Sequence, residues 1–207
     1  MFRENPDELE TRFPLWLTNL GNVGVNDLEV PLEDTDSVAS LPPLSLQLRQ
    51  VVSSHPRSFQ AVHINAQSFV KHIDEFKATF SSLNLHAILI SESWLKPSLS
   101  NALLELTDYK IFRNDGIGKG AGGVMIYLRS DLKTKVLSQS SPTYSGETEF
   151  IILDVRINNV SILLAIVYRA PRNDFSNFES EICKYIFLYS HMIIMGDFNY
   201  DLLSQKE

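Results

Sequence analysis

Short apolar runs separated by turn-forming residues begin at Phe59 and continue along the chain. Ala61–Asn65 (AVHIN) and residues 87–92 (AILISE) are such runs, and they predict two buried strands. Between them apolar residues recur at helical spacing, which predicts a helix packed by one face: Phe69, Ile73, Phe76, Phe80 and Leu83. A strand, a helix and a strand in that order favour a parallel pair of strands.

Later runs predict further strands and a second helix. Strand-like runs rich in β-branched residues follow at 110–113, Val124–Arg129, 150–157, 160–169 and 191–196. Asn158-Asn159 predicts a hairpin turn, and Ser176 with Glu179 matches a helix-capping box. That helix carries an apolar stripe at Phe178, Ile182 and Ile186. The mixture predicts an α/β fold with sheets flanked by helices.

The first 58 residues differ from the remainder. They contain six of the nine prolines, show no sustained period, and hold nine acidic residues against four basic ones. We therefore predict a mostly disordered leader over residues 1–58 and one folded domain over residues 59–207. The leader contributes −5 to the net charge of −7, which leaves −2 for the domain. A nearly neutral domain lacks the basic patch typical of nucleic-acid-binding proteins.

Composition narrows the class of protein. Hydrophobic residues make up 44% of the chain and charged residues 21%, as in ordinary globular proteins. The longest apolar runs are too short to cross a bilayer, and residues 1–10 are acidic where a signal peptide is basic and then apolar. Cys183 is the only cysteine, so it has no partner for an internal disulfide. We expect an intracellular protein, nuclear or cytoplasmic, and assume a monomer.

Polar residues of metal-binding type follow three of the predicted strands. Asn65 follows AVHI, Glu92 follows AILIS, and Asp197 follows MIIMG. Strand ends are where α/β proteins build sites, because the sheet holds the side chains while the open edge admits substrate. Mg²⁺ takes one or two carboxylates, waters and a phosphate oxygen, so Glu92 is the strongest candidate ligand. Asn199 lies two residues after Asp197, and Tyr168 ends another apolar strand.

Each of these residues also has an ordinary structural explanation when it is taken alone. Asn65 could cap a turn, Glu92 could be a solvated loop carboxylate, and Asp197 could form an Asx turn. Tyr168 could be a half-buried packing residue, since tyrosine has an apolar body and a polar tip. Only the set of residues together points to a metal-dependent site.

Two other patterns favour structure over chemistry. Gly118, Gly120 and Gly123 match a dinucleotide-binding spacing, but a predicted strand follows them where that pattern requires a helix, so we predict a loop leading into a strand. His63 lies in the middle of an apolar strand, and we expect it to be a hydrogen-bonded core residue. No Ser-His-Asp or Cys-His arrangement stands out.

Five blocks in this order resemble the endonuclease domain of non-LTR retrotransposons. The blocks are HINAQS (63–68), SESWL (91–95), GGV (122–124), VYRAP (167–171) and GDFN (196–199), and they extend over about 140 residues. That domain is a member of the endonuclease/exonuclease/phosphatase family and is similar to apurinic/apyrimidinic endonucleases and, more remotely, to DNase I. The resemblance implies a four-layer sandwich of two mixed β-sheets flanked by helices.

The resemblance also implies a role for each site residue. Glu92 and Asn65 would bind Mg²⁺ or Mn²⁺, and Asp197 would position or deprotonate the attacking water. Asn199 would orient Asp197, while Asn65, Tyr168 and Asn199 would contact the phosphate of the bound DNA. The implied reaction nicks a target-site DNA duplex and leaves a 3′-hydroxyl that primes reverse transcription.

The chain departs from the family pattern after the GDFN block. The family completes its site with a downstream Asp and a near-terminal Asp-His pair, whereas none of the five histidines here follows Asp197. We therefore expect residues 59–207 to be the N-terminal two-thirds of the domain, incomplete at the C-terminus, and the isolated chain to be inactive or nearly so. Two alternatives stay open: a phosphatase of the same fold acting on a small phosphoester, and a non-catalytic remnant that binds a partner.

Overall fold

A computed structural model describes residues 44–116, 122–142 and 147–200 of the chain. The chain divides into two units, Met1–Ser58 and Phe59–Glu207. Helix α1, Leu44–Ser54, lies in the first unit, within the stretch that the sequence predicts to be mostly disordered. The remainder of the predicted leader, residues 1–43, lies outside the described residues.

The first sheet of the second unit contains four strands in the order β1-β2-β4-β3. The strands are β1 Ala61–Asn65, β2 Ala87–Ser91, β3 Tyr109–Asn114 and β4 Val124–Arg129. Strands β1 and β2 are parallel, as the strand, helix and strand pattern predicted, and the other pairs are antiparallel. The connection between β1 and β2 consists of a short 3-10 helix followed by helix α2, Ile73–Phe80.

The second sheet contains four strands in the order β5-β6-β7-β8. The strands are β5 Lys133–Gln139, β6 Glu149–Ile157, β7 Val160–Tyr168 and β8 Met192–Asp197. Strands β6 and β7 form the predicted hairpin through Asn158-Asn159, and β8 lies parallel to β7. The connection from β7 to β8 carries helix α4, Ser176–Ile182, while the four-residue helix α3, Asn101–Leu104, precedes β3.

The two sheets pack face to face, with β1 against β8, β2 against β7 and β4 against β6. Successive side chains of a strand point to opposite faces, so every second residue enters the space between the sheets. This inner core includes the almost fully buried Leu89, Ile126, Leu153 and Ile166. The predicted α/β class with two mixed sheets is therefore confirmed.

Helices cover the outer faces of both sheets. Phe76 of α2 stacks on Tyr127 of β4, with ring centroids 5.2 Å apart. Phe178 of α4 packs against Phe150 of β6 at 5.3 Å. These contacts place a helix outside each sheet. Among the described residues, no helix is both long enough and apolar enough to cross a bilayer.

The sequence pattern missed or misassigned three local features. Strand β5 was not predicted because its side chains are mostly polar and exposed, as is common at a sheet edge. The capping-box prediction at Ser176 was wrong: the side chain of Asp174 accepts the Ser176 N–H, and the N-cap residue is Phe175. Helix α4 ends at Ile182, so Ile186 lies outside the helix and is exposed.

Candidate active site

Strand register brings the polar strand ends to one edge of the sandwich. In the first sheet Asn65 is paired with Ser91, and in the second sheet Tyr168 is paired with both Glu149 and Asp197. Along each strand these residues lie an even number of positions from residues of the inner core, so their side chains also point into the space between the sheets. Two rows of side chains, one from each sheet, therefore face each other at the same end.

Asn65 joins the two rows. Its Nδ2 donates one hydrogen bond of 2.9 Å to Glu92 Oε1 and another of 2.8 Å to Asp197 Oδ2. Because an amide nitrogen carries two hydrogens and no acceptor, it can satisfy two carboxylates at once. The structure thus brings together Asn65, Glu92 and Asp197, although Asn65 and Asp197 are separated by 132 residues along the chain.

The backbone at Glu92 has an unusual conformation. Glu92 and Trp94 have φ values of 50° and 52°, in the left-handed region that few side chains favour. The N–H groups of Ser93 and Trp94 donate to the carbonyl oxygens of Gly123 and Gly122, at 3.1 and 2.9 Å. The Gly122-Gly123 turn, which lies ahead of β4, therefore holds the segment that carries Glu92.

Tyr168 lies between its strand partners Glu149 and Asp197, and it is 7% exposed. Burial raises the pKa of Tyr168 to about 12, and the negative charges of Glu92 and Asp197 act in the same direction. The phenol is therefore protonated at neutral pH and is able to donate a hydrogen bond to an anionic oxygen. A phosphate oxygen is an acceptor of that kind.

Asn199 contacts Asp197 through its backbone. The backbone N–H of Asn199 donates to Asp197 Oδ1 at 3.1 Å, while its side-chain Nδ2 donates to the carbonyl oxygen of Arg169 at 2.8 Å. Sequence reasoning did not identify Arg169, whose guanidinium donates to the carbonyl oxygens of Phe198 and Asn173 at 3.3 and 2.8 Å. Arg169 thereby supports the turn that follows Asp197.

Glu149 is a second residue that sequence reasoning missed. Its carboxylate accepts the backbone N–H of Gly123. Burial raises the pKa of Glu149, an effect opposed by that hydrogen bond and assisted by the charge of Glu92. A signal was present in the sequence, because a two-residue turn at Asn158-Asn159 sets the hairpin register and places Glu149 opposite Tyr168.

His63 is a core residue, as predicted. Its Nε2 hydrogen-bonds with Ser91 Oγ at 2.9 Å, and both side chains are buried. Burial lowers the pKa of His63 to about 4, although the charge of Asp197 raises it. The imidazole is therefore neutral at pH 7 and lies beneath the carboxylates in the core.

The donor set suits a hard cation. Within the described ranges, no group of three or more His, Cys, Asp or Glu side chains is arranged to hold a metal ion. Glu92 and Asp197 do accept hydrogen bonds from the same nitrogen of Asn65. The Oδ1 atom of that amide is buried with no hydrogen-bond partner among the described residues. An unpartnered buried oxygen next to two carboxylates fits Mg²⁺ or Mn²⁺, which binds few protein oxygens and keeps several waters.

The glycine-rich stretch leads into a strand, as predicted. Gly122 and Gly123 both have φ values of 85° and directly precede β4, so no helix begins there to bind a pyrophosphate. Gly118 and Gly120 lie outside the described residues.

Comparison with known proteins identifies the family. The sequence profile of the Endonuclease/Exonuclease/phosphatase family matches residues 44–205, which is more than half of the chain. The chain belongs to this family. A search among curated proteins finds no match.

Several solved structures are similar to this chain. A family protein from Leptotrichia buccalis is 17% identical, with a TM-score of 0.50 over 71% of this chain and 69% of that one. The endonuclease domain of TRAS1, a telomere-specific non-LTR retrotransposon, is 16% identical, with a TM-score of 0.48 over 70% of this chain. A 3′ phosphatase, NExo from Neisseria, bound to a product DNA hairpin, is 14% identical, with a TM-score of 0.46 over 69% of this chain and 58% of that one. This chain spans 62% of the TRAS1 domain.

Proposed function

We propose that the chain carries the metal-dependent phosphodiesterase site of a DNA-nicking endonuclease of the non-LTR retrotransposon type. The observation that carries the proposal is the hydrogen bonding of the Asn65 amide to the Glu92 and Asp197 carboxylates, which come from different sheets. Family membership restricts the chemistry to phosphoester cleavage, and the HINAQS and SESWL blocks favour a DNA substrate over a small phosphoester.

Glu92 and the Oδ1 atom of Asn65 would hold the cation at the edge of the sandwich. When bound, Mg²⁺ supplies positive charge to the non-bridging phosphate oxygens as negative charge builds up on them. Asp197, held by the Asn199 N–H, positions the attacking water and takes its proton. The Tyr168 hydroxyl donates to a non-bridging oxygen. The water oxygen bonds to phosphorus as the bond from phosphorus to the 3′-oxygen breaks. The 3′-oxygen takes up a proton from solvent, and the products are a 5′-phosphate and a 3′-hydroxyl.

A nicking assay on supercoiled plasmid with Mg²⁺ tests the proposal. It should include the 207-residue chain and a form extended by whatever the reading frame encodes after Glu207. We expect nicking in at least one of the two forms and its loss, by at least about 100-fold, in Glu92→Ala and Asp197→Ala, because each variant removes a group required in the transition state. Glu75→Ala is the matched control, since Glu75 is an exposed acidic residue on α2, the helix outside the first sheet.

The outcomes separate the competing functions. Nicking that Glu92→Ala leaves unchanged would refute the assigned site. Phosphate release from a small phosphoester without any nicking would identify a phosphatase of the same fold. Partner binding with neither activity in either form would leave the chain as a non-catalytic remnant.

A further inference from the structure

Glu149 occupies the position in the second sheet that corresponds to Asp197 on the other side of Tyr168. Both residues are register partners of Tyr168, Glu149 on β6 and Asp197 on β8. Asp197 contacts the first sheet through Asn65 of β1, and Glu149 contacts the first sheet through the turn that begins β4. One carboxylate on each side of Tyr168 therefore connects the two sheets.

The partner of Glu149 is a backbone group and not a side chain. Its Oε2 accepts the N–H of Gly123, and a side chain added at Gly122 would collide with Oε1 of the same carboxylate. The carboxylate thus fills the space beside Gly122 and accepts the backbone N–H of Gly123. A backbone N–H that donates to a partly buried carboxylate is held strongly, because hydrogen bonds to ionised groups are stronger than neutral ones.

The same turn holds the segment that carries Glu92. Gly123 and Gly122 offer their carbonyl oxygens to the N–H groups of Ser93 and Trp94. The left-handed backbone of Glu92 and Trp94 costs energy and persists only where the surroundings hold it in place. A continuous set of hydrogen bonds therefore runs from Glu149, through the turn, to the residues that follow Glu92.

We propose that Glu149 is a positioning residue for Glu92, and that it acts by accepting the Gly123 N–H and thereby fixing the Gly122-Gly123 turn. This inference rests on the proposed function only in assigning Glu92 to the cation. The positioning itself is a property of the chain without any metal.

An electrostatic role for Glu149 is the competing explanation. Glu149 and Glu92 interact through their charges, so Glu149 could act on the cation site by adding negative charge. The hydrogen bond and the charge are separable by substitution. Glu149→Gln keeps a carbonyl oxygen that can accept the Gly123 N–H but removes the charge, whereas Glu149→Asp keeps the charge but withdraws the acceptor by one methylene group.

Two measurements on the full chain test the proposal. The first is hydrogen exchange of the Ser93 and Trp94 amides without metal, and the second is Mn²⁺ affinity by calorimetry. In Glu149→Asp we expect amide exchange to accelerate by about tenfold or more and Mn²⁺ affinity to fall by about 10-fold to 100-fold, the usual range when a residue behind a metal ligand is lost. Glu149→Gln should stay close to the unsubstituted chain. Glu147→Asp is the matched control, since Glu147 is exposed and lies two residues earlier.

The two readouts fail independently. If the unsubstituted chain does not bind Mn²⁺, the proposed function fails, while the exchange of the Ser93 and Trp94 amides still decides the positioning role. If Glu149→Asp leaves that exchange unchanged, or if Glu149→Gln accelerates it as much as Glu149→Asp does, the positioning role is overturned. In a chain that already carries Glu92→Gln, Glu149→Asp should cause little further loss of Mn²⁺ affinity, because Glu149 acts on the cation only by positioning Glu92.

Discussion

Replacement of Asn65 tests whether this amide holds two like charges together between the sheets. In Asn65→Ala, Glu92 and Asp197 each lose a hydrogen bond of 2.9 or 2.8 Å from the same nitrogen. A buried hydrogen bond to an ionised group contributes about 1.5–3 kcal/mol, and we take about 1 kcal/mol for each here because both carboxylates are partly exposed to water.

The repulsion between the carboxylates is present with and without the amide, so the loss consists of the two hydrogen bonds that offset it. The two hydrogen-bonded oxygens lie less than about 6 Å apart, since both are bonded to one nitrogen. Two charges at this distance repel by roughly 1–3 kcal/mol at the dielectric constants between water and a protein surface, and solvent screening favours the lower figure. We therefore expect Asn65→Ala to lower the free energy of unfolding by about 2 kcal/mol at pH 7, about 1 kcal/mol for each hydrogen bond.

Urea denaturation at pH 7, at low salt and in about 1 M NaCl, measures this effect. Asn114→Ala is the matched control, because Asn114 also donates two hydrogen bonds, at 2.7 and 2.8 Å, but to the neutral carbonyl and hydroxyl oxygens of Ser140. Salt screens the interactions of partly exposed charges, so the deficit of Asn65→Ala should shrink in high salt, while that of Asn114→Ala should stay constant. A deficit of Asn65→Ala that is as insensitive to salt as that of Asn114→Ala would refute the reasoning.

Three further predictions follow from single residues. Gly123→Ala should lower the free energy of unfolding by about 1–3 kcal/mol in thermal denaturation, because its φ is 85° and a Cβ would lie 2.5 Å from Ser93 Oγ; an unchanged melting temperature would contradict this. His63→Gln should flatten the pH dependence of stability between pH 6.5 and 4. The pKa of His63 is lowered to about 4 in the fold, so the unfolded chain binds the proton first and the free energy of unfolding falls as the pH drops through this range. An unaltered slope in urea denaturation would count against it. Tyr168→Phe should reduce plasmid nicking about tenfold or more at pH 7 to 9, where the raised pKa keeps the phenol protonated, with little effect from the control Tyr109→Phe, whose hydroxyl donates to the Leu85 carbonyl.

Much of the fold was predictable because most of its strands are apolar runs between polar breaks. The central strand β4, buried on both faces, was predicted with its observed bounds, and so was β1 at the edge of the same sheet. Edge strand β5 carried no such signal, because its polar side chains face water. The N-terminus of α4 was misassigned because Ser176 and Asp174 offer similar capping groups, and local geometry chose Asp174.

The candidate site was predictable in its members and not in its connections. Asn65, Glu92 and Asp197 follow apolar strands, and a polar residue at the end of a buried strand can be recognised in the sequence. Glu149 was missed because its partner is a backbone N–H, which every non-proline residue has, so the hairpin register opposite Tyr168 was the signal that could have identified it.

The sequence alone determined the buried strands, their alternation between core and surface, and the residue types at their ends, because those properties depend on neighbours along the chain. The tertiary structure decided that β1 lies against β8 and β4 against β6, and hence that an amide meets a carboxylate 132 residues away. Pairing across two sheets depends on how apolar faces pack in three dimensions, and sequence spacing holds no record of that packing.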